Sequence, residues 1–242
     1  FTYGTDFVKQ MNGVFAFAFY DEKLGVLHLF RDRIGVKPLF YTRQGDTIFF
    51  ASEIETLLAN SGVKPVLDRK GLNEVFSIGP AKTYGCGVFK GIDEVLPGHL
   101  LSYTGAEMKN SCYWKLESKV HEDNYEQTVE KTAFLLENAV KNQMISGVPV
   151  CTFLSGGLDS SLVSAICARE LRKEGKRLHT FSFDFVGNDK NFQANMFQPS
   201  QDRPYVEKMV TFLDSEHHYL ECDSRTQADY LYASIDAKGL PA

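Results

Sequence analysis

Leu154-Ser155-Gly156-Gly157-Leu158-Asp159-Ser160-Ser161 is the stretch that decides how this chain is read. Val148–Leu154 leads into it as a short apolar run of strand length. From about Ser160 to Lys173, Leu162, Val163, Ile166 and Leu171 recur as the inward side of a helix. The stretch is therefore a turn between a strand and a helix. Two adjacent glycines let backbone approach a ligand closely. The amides of Ser155, Gly156 and Gly157, the amides and hydroxyls of Ser160 and Ser161, and the helix N-terminus form an anion cradle. Asp159 adds a carboxylate, which suits a phosphate site when a divalent cation bridges the two negative groups. The plainer alternative is a capped helix after a tight glycine turn. No Walker P-loop occurs, and Gly85–Gly91 is one residue too long for a G-x-G-x-x-G fingerprint.

Working outward from the loop, the following segments alternate. Leu178–Phe185 reads as a strand, 186–203 as a long polar loop, Arg203–Leu213 as a helix, His218–Glu221 as a strand and Thr226–Ala237 as a helix. This alternation predicts a parallel, doubly wound α/β sheet with Val148–Leu154 at its centre. On the N-terminal side, Asp123 or Asn124 caps a helix whose inner positions are Tyr125, Val129, Ala133, Leu136, Ala139 or Val140, and Met144. That helix is expected to end at Ser146-Gly147.

The first 113 residues are β-rich. Val14–Tyr20 is bulky and continuous, as in a strand buried on both faces. A turn at Asp21–Gly25 joins it to Val26–Phe30. Leu39–Tyr41 and Ile48–Ala51 bracket a second turn, Glu53–Asn60 and Arg69–Ser77 read as short helices, and Gly98–Tyr103 reads as the last strand. Phe15, Phe17 and Phe19 read as core. The expected organisation is one unit over 1–113, a link at 114–124 and a second unit over 125–242.

Composition excludes several classes. Of the 242 residues, 43% are hydrophobic and 24% charged, ordinary for a packed protein. The net charge is −5, which argues against general nucleic-acid binding. The longest apolar run, Val14–Tyr20, is far shorter than the ~20 residues of a membrane helix. The opening Phe1-Thr2-Tyr3-Gly4 does not read as a signal peptide. Five cysteines without a C-x-x-C predict a reduced, cytoplasmic protein rather than a disulfide scaffold or zinc ribbon. Cys151, inside the strand before the loop, reads as a small core residue. His217 and His218 are neighbours on a strand and so point to opposite faces, which argues against joint metal ligation. Arg31 and Lys37 read as partners of acids between the units.

Ser155–Ser161 resembles the SGGxDSS loop of the ATP pyrophosphatases, enzymes that adenylate a substrate and release pyrophosphate. As a whole, the chain resembles the glutamine-dependent asparagine synthetases. Phe7–Ala18 is similar to the F-x-x-x-x-N-G-x-F-A-F-A segment of their glutaminase domain. Arg31–Tyr41 is similar to their RDRxGxKPLYY stretch, and Ala51-Ser52-Glu53-Ile54 and Leu96-Pro97-Gly98-His99 match two further landmarks. The resemblance implies a partial Ntn-type α/β/β/α sandwich followed by the ATP-pyrophosphatase domain. It implies ATP as co-substrate, Mg²⁺ as cofactor, and aspartate and glutamine as small-molecule substrates, with no membrane or nucleic-acid partner; a homodimer is compatible with it.

By the same resemblance, the backbone of Leu154 touches the nucleotide. Ser155, Gly156, Gly157, Ser160 and Ser161 hold its pyrophosphate, Asp159 ligates Mg²⁺, and Phe183 meets the adenine. Phe183 is bulkier than the small apolar residue expected there. The family's nucleophile is an N-terminal cysteine, whereas residue 1 is Phe, and the family's second acidic motif, SGxGxDE, does not occur. The expectation is a fragment with no catalytic residue of its own and no glutamine hydrolysis by 1–242. Two other readings stay open. One is a paralogous amidotransferase, β-lactam-forming or peptide-amidating, acting on another carboxylate. The other is a non-catalytic nucleotide-binding module.

Overall fold

The computed structural model describes residues 4–79, 81–196 and 199–239. The chain divides into two compact units. One holds the chain up to Lys119 and from Leu231 onward, and the other spans Val120–Tyr230.

In the first unit, β1 (Ala16–Asp21), β2 (Val26–Arg31), β3 (Phe40–Gln44) and β4 (Thr47–Ala51) form two hairpins. After them come α1 (Ile54–Leu58), α2 (Arg69–Ser77), β5 (Ile92–Glu94), β6 (His99–Tyr103) and β7 (Met108–Cys112). The Asp21 carboxylate accepts from the Lys23 and Leu24 amides at 3.0 and 3.1 Å, which closes the first turn. The strands form two antiparallel sheets, ordered β1-β2-β6-β7 and β4-β3-β5. Leu29 and Leu101 of the first sheet share a core with Leu39, Val95, Tyr41 and Ile48, so the two sheets bury a common apolar layer. On the other side of the first sheet, Phe7, Phe15, Phe17 and Phe19 pack around Val8, Phe30 and Leu100, confirming the phenylalanine stripe as core. Rings of Phe17 and Phe30 stack at 4.8 Å.

Three expectations change here. β1 is the edge strand of its sheet and is not buried on both faces: Phe17 and Phe19 are partly covered, while Ala18 and Tyr20 between them are exposed. Gly98–Tyr103 is not the last strand: β7 follows it through a turn at Thr104–Glu107. β7 is polar, Met-Lys-Asn-Ser-Cys, and gives no strand pattern to read. Arg31 does find an acid, but within its own unit rather than between units. Its guanidinium lies 3.0 Å from Glu94 and donates to the carbonyls of Lys37, Val95 and Gly35. Next to it, the buried Asp32 carboxylate accepts from the amides of Ile34, Val36 and Lys37 at 3.2, 3.0 and 2.9 Å. Burial alone would raise the Asp32 pKa. The backbone donors at Lys37, Val36, Gly35 and Ile34 overcome that and hold it below the ordinary carboxylate value.

The second unit begins with α3 (Tyr125–Gln143), which is started by a capping box: the Asn124 side chain accepts from the Gln127 amide and the Gln127 side chain from the Asn124 amide. It continues through β8 (Cys151–Phe153), α4 (Leu158–Lys173), β9 (His179–Phe185), a single turn α5 (Asn188–Asn191), α6 (Arg203–Leu213) and β10 (Glu216–Cys222); α7 (Ser224–Lys238) begins here. α3 ends a few residues before the expected Ser146-Gly147 and has no fully buried residue; only its last part, Val140 and Met144, reaches the core.

The three strands pair in parallel, in the order β10-β9-β8. The strand before the loop therefore lies at the edge among the described residues, and β9 is central. Both crossovers advance the sheet in the same direction, so α4 and α6 cover the same face. Leu154, Leu178, Cys167, Ala168, Val206 and Leu213 form the core between them. The other face, with Phe153, Phe183, Phe185 and Leu220, is exposed. Cys151 is on that open face and is exposed, not core. Its neighbour Thr152 turns inward and hydrogen-bonds Ser164 of α4 at 2.8 Å. Likewise, the inward side of α4 is Ser164, Ile166, Cys167 and Ala168, while Leu162 and Val163 are partly exposed. Among the described residues no helix is long and apolar enough to cross a membrane.

Candidate functional site

Parallel strands direct their carboxyl ends to one edge of the sheet, and α4 starts at that edge. The loop is anchored at its base. Leu154, 1% exposed, donates its amide to the Phe181 carbonyl at 2.8 Å, and its carbonyl accepts from the Ser182 hydroxyl. Beyond Leu154 the chain turns through Gly156 at φ +76°. A side chain there would place a Cβ 2.7 Å from Tyr205 Cβ and 3.0 Å from the Val206 amide nitrogen, so only glycine lets the loop pass the start of α6. Gly157 is the N-cap of α4, and the Ser161 amide donates to its carbonyl at 3.1 Å.

The two hydroxyls in the loop hold it closed. Ser160 Oγ accepts from the Ser155 amide at 3.2 Å, lies 3.0 Å from Ser155 Oγ and donates to the Gly157 carbonyl at 3.2 Å. Asp159 lies in the first turn of α4 and is exposed, beside the amides that begin the helix. A helix N-terminus favours a negative group there and equally favours a bound anion.

A cavity of about 470 Å³ opens at the same edge. Leu154, Ser155 and Phe183 line it, together with Asp184, Asn188 and Arg203. Phe183, 58% exposed, presents its ring edge-on to Phe185 at 5.2 Å. Gly156, Gly157, Asp159, Ser160 and Ser161 sit beside the cavity in the turn and first helical residues rather than in its wall. Its volume is within the usual range for a small-molecule site, about 300–1,000 Å³. A larger cavity of about 690 Å³ between α3 and α4 is lined mainly by aliphatic side chains and has no such loop beside it, so size alone does not mark the site.

Residues 1–114 match the glutamine amidotransferase domain family, and residues 131–241 match the asparagine synthase family. The chain is 46% identical over 237 residues to asparagine synthetase [glutamine-hydrolyzing] 3 of Bacillus subtilis, covering 98% of this chain and 39% of that protein. The chain belongs to the glutamine-hydrolysing asparagine synthetase family. It is also 33% identical to a putative asparagine synthetase 2 of Methanocaldococcus jannaschii, over 89% of this chain and 40% of the relative. To amidase chyE of Penicillium rubens it is 31% identical, over 93% of this chain and 34% of the relative. The chain thus spans about two fifths or less of the length of these relatives.

Within this family member, several residues of the cavity escape a linear reading. Asp184 accepts from the Asn188 side chain and the Phe185 amide, both at 2.8 Å. Its position at the end of a strand is a signal that could have found it. Arg203 and Tyr219 are brought together only by the fold, with the guanidinium 4.6 Å from the ring centroid. Arg203 also reaches Glu221 at 3.3 Å and Glu207 at 3.6 Å. Burial, then the Glu207 charge, raises the Tyr219 pKa, so that phenol stays protonated through neutral pH.

Proposed function

We propose that this chain carries part of an asparagine synthetase: asparagine formation from aspartate, ATP and glutamine through a β-aspartyl-AMP intermediate, with release of AMP, pyrophosphate and glutamate. The observation that carries the reading is the anchored Leu154–Ser161 loop at the carboxyl ends of parallel strands, with α4 starting from it. A carboxylate is a poor electrophile, and adenylation gives it a good leaving group. In this reading Leu154 and Phe183 border the nucleotide. The Ser155–Gly157 amides and the Ser160 and Ser161 groups bind and orient the pyrophosphate.

The donor set fits a hard cation. Asp159, Asp184 and Asp202 bring carboxylates to the same edge as the phosphate-binding amides, and Mg²⁺ favours oxygen ligands. Asp159 would hold it. When bound, Mg²⁺ neutralises pyrophosphate charge. The first unit, by its family match and its two stacked sheets, corresponds to part of an Ntn-type glutaminase sandwich, and the second to part of an ATP-pyrophosphatase domain with boundaries near 113 and 125; of the expected doubly wound sheet, the described residues cover one face with helices and leave the other open.

Asp159→Asn in the complete enzyme tests the assignment. Asn caps a helix about as well as Asp, so a purely structural Asp159 predicts little change. A metal-holding Asp159 predicts a fall of about a hundredfold or more in pyrophosphate release, roughly 2.7 kcal/mol, with glutamate release changed much less. Pyrophosphate release near the parent rate at saturating ATP and Mg²⁺ would remove Asp159 from the metal site.

A further inference from the structure

At the opposite end of the same three strands lies a group of side chains that the nucleotide reading leaves unused. His217 and His218 do face opposite sides. His217 turns toward α6 and meets the Thr180 hydroxyl at 2.8 Å, whereas His218 lies on the open face. There His218 meets a partner, His179, that no sequence spacing announces. β10 pairs with β9 so that Glu216 stands opposite His179, and His218 is two residues further along the face of Glu216. His179 Nδ1 and His218 Nε2 are 3.3 Å apart. Glu216 Oε1 is 3.7 Å from the first and 3.8 Å from the second. The two imidazoles are nearly parallel, 11° between planes, and the Phe181 ring stacks on His218 at 4.7 Å.

We propose that His179, Glu216 and His218 form a binding site for a Zn²⁺-class transition-metal ion. Two arguments support it. The first is geometric. A point equidistant from three atoms at 3.3, 3.7 and 3.8 Å separations lies about 2.1 Å from each. Zinc–imidazole and zinc–carboxylate bonds are about 2.0–2.2 Å. The three donor atoms thus stand at the separations that one shared ion requires. The second is chemical. Two imidazoles and one carboxylate form a borderline-soft set that selects zinc over the all-oxygen preference of Mg²⁺. The site is also separate from the nucleotide edge. His179 and Phe183 are four residues apart on one strand, roughly 13 Å at about 3.3 Å per residue. An ion here would tie the start of β9 to the start of β10. Cys151 stands opposite His179 in register and is exposed, but its thiol is not one of the three converging donors.

Titration of the 242-residue chain with Zn²⁺ against a chromophoric chelator tests this, with Co²⁺ as a spectroscopic stand-in. One equivalent is expected to bind at micromolar concentration or below, and the Co²⁺ form to show the intense visible bands of a low-coordinate nitrogen–oxygen site. His179→Ala and His218→Ala each weaken binding at least tenfold, and Glu216→Gln, which keeps both imidazoles, weakens it measurably. His121→Ala, at an exposed histidine elsewhere, leaves it unchanged. All positions are exposed enough for the metal-free variants to be checked as folded by circular dichroism. Cys112→Ser/Cys151→Ser should bind as the parent does. Saturation that survives loss of both histidines, binding lost with the two thiols, or no one-equivalent binding below about 100 μM each overturns the proposal.

Discussion

Two corners of this molecule are rich in polar groups and glycine, and they use them in opposite ways. Arg31–Pro38 in the first unit is closed. Arg31 and Asp32 are both buried, and their partners are protein: Glu94, three carbonyls and a row of backbone amides. Leu154–Ser161 in the second unit is open. Its hydroxyls bond one another and accept from the Ser155 and Gly157 amides, and its carboxylate is exposed. Buried polar groups satisfied by protein specify a conformation; exposed donors gathered at a helix start wait for an anion. Substitutions should therefore separate the two corners, one in stability and the other in binding.

The largest effect belongs to the closed corner. Arg31→Met leaves Glu94 buried with Lys82, 3.7 Å away, as its remaining cation among the described residues. Breaking a buried pair by removing one partner costs about 3–5 kcal/mol. Chemical denaturation should show that loss, while nucleotide binding by the folded fraction persists. Gly156→Val comes next. A left-handed backbone costs a side chain about 1–2 kcal/mol before the contact with Tyr205 is counted. ATP binding measured by calorimetry should weaken at least tenfold, and a parent-like affinity would break the comparison.

The acid limb sharpens it further. Asp32 is held below its ordinary pKa, so the fold prefers the carboxylate. That stabilisation is present above the unfolded value near ~4 and is lost as pH falls through the lower folded value. The thermal midpoint should drop on acidification below about pH 4, and Asp32→Asn should flatten that limb. Ser160→Ala is the smallest in stability. It removes bonds in an exposed loop, under about 1 kcal/mol, yet should cost nucleotide affinity about tenfold.

The loop was legible because strand, glycines, hydroxyls and helix are contiguous, and local chemistry is what a sequence displays. Arg69–Ser77 and Arg203–Leu213 are recovered at both ends because Asp68 caps one and Pro204 opens the other. What failed was the order of strands and the edge strands, although both hairpins and the parallel pairing were recovered. β8 was placed in the centre and Cys151 in the core because an apolar run reads the same at an edge as in the middle; the order of strands decides, and no residue within the run encodes it. β7 was missed because its partners, not its own residues, make it a strand. Asp184, Arg203 and Tyr219 reach the site across separate elements, as His179 of β9 reaches Glu216 and His218 of β10.

Both backbone groups of Leu154 are tied to β9, the amide to Phe181 and the carbonyl to Ser182. The tether divides the loop by timescale. In deuterated buffer the Leu154 amide should exchange only through openings that separate β8 from β9, hence slowly. The Gly156 amide, one residue past the exposed Ser155, should exchange through local fluctuation within the loop itself. A ligand seated on the cradle would then slow exchange at Gly156 and Gly157 while leaving Leu154, already protected, nearly unchanged. The fold confines the moving part of the site to a few residues between a fixed strand and a fixed helix.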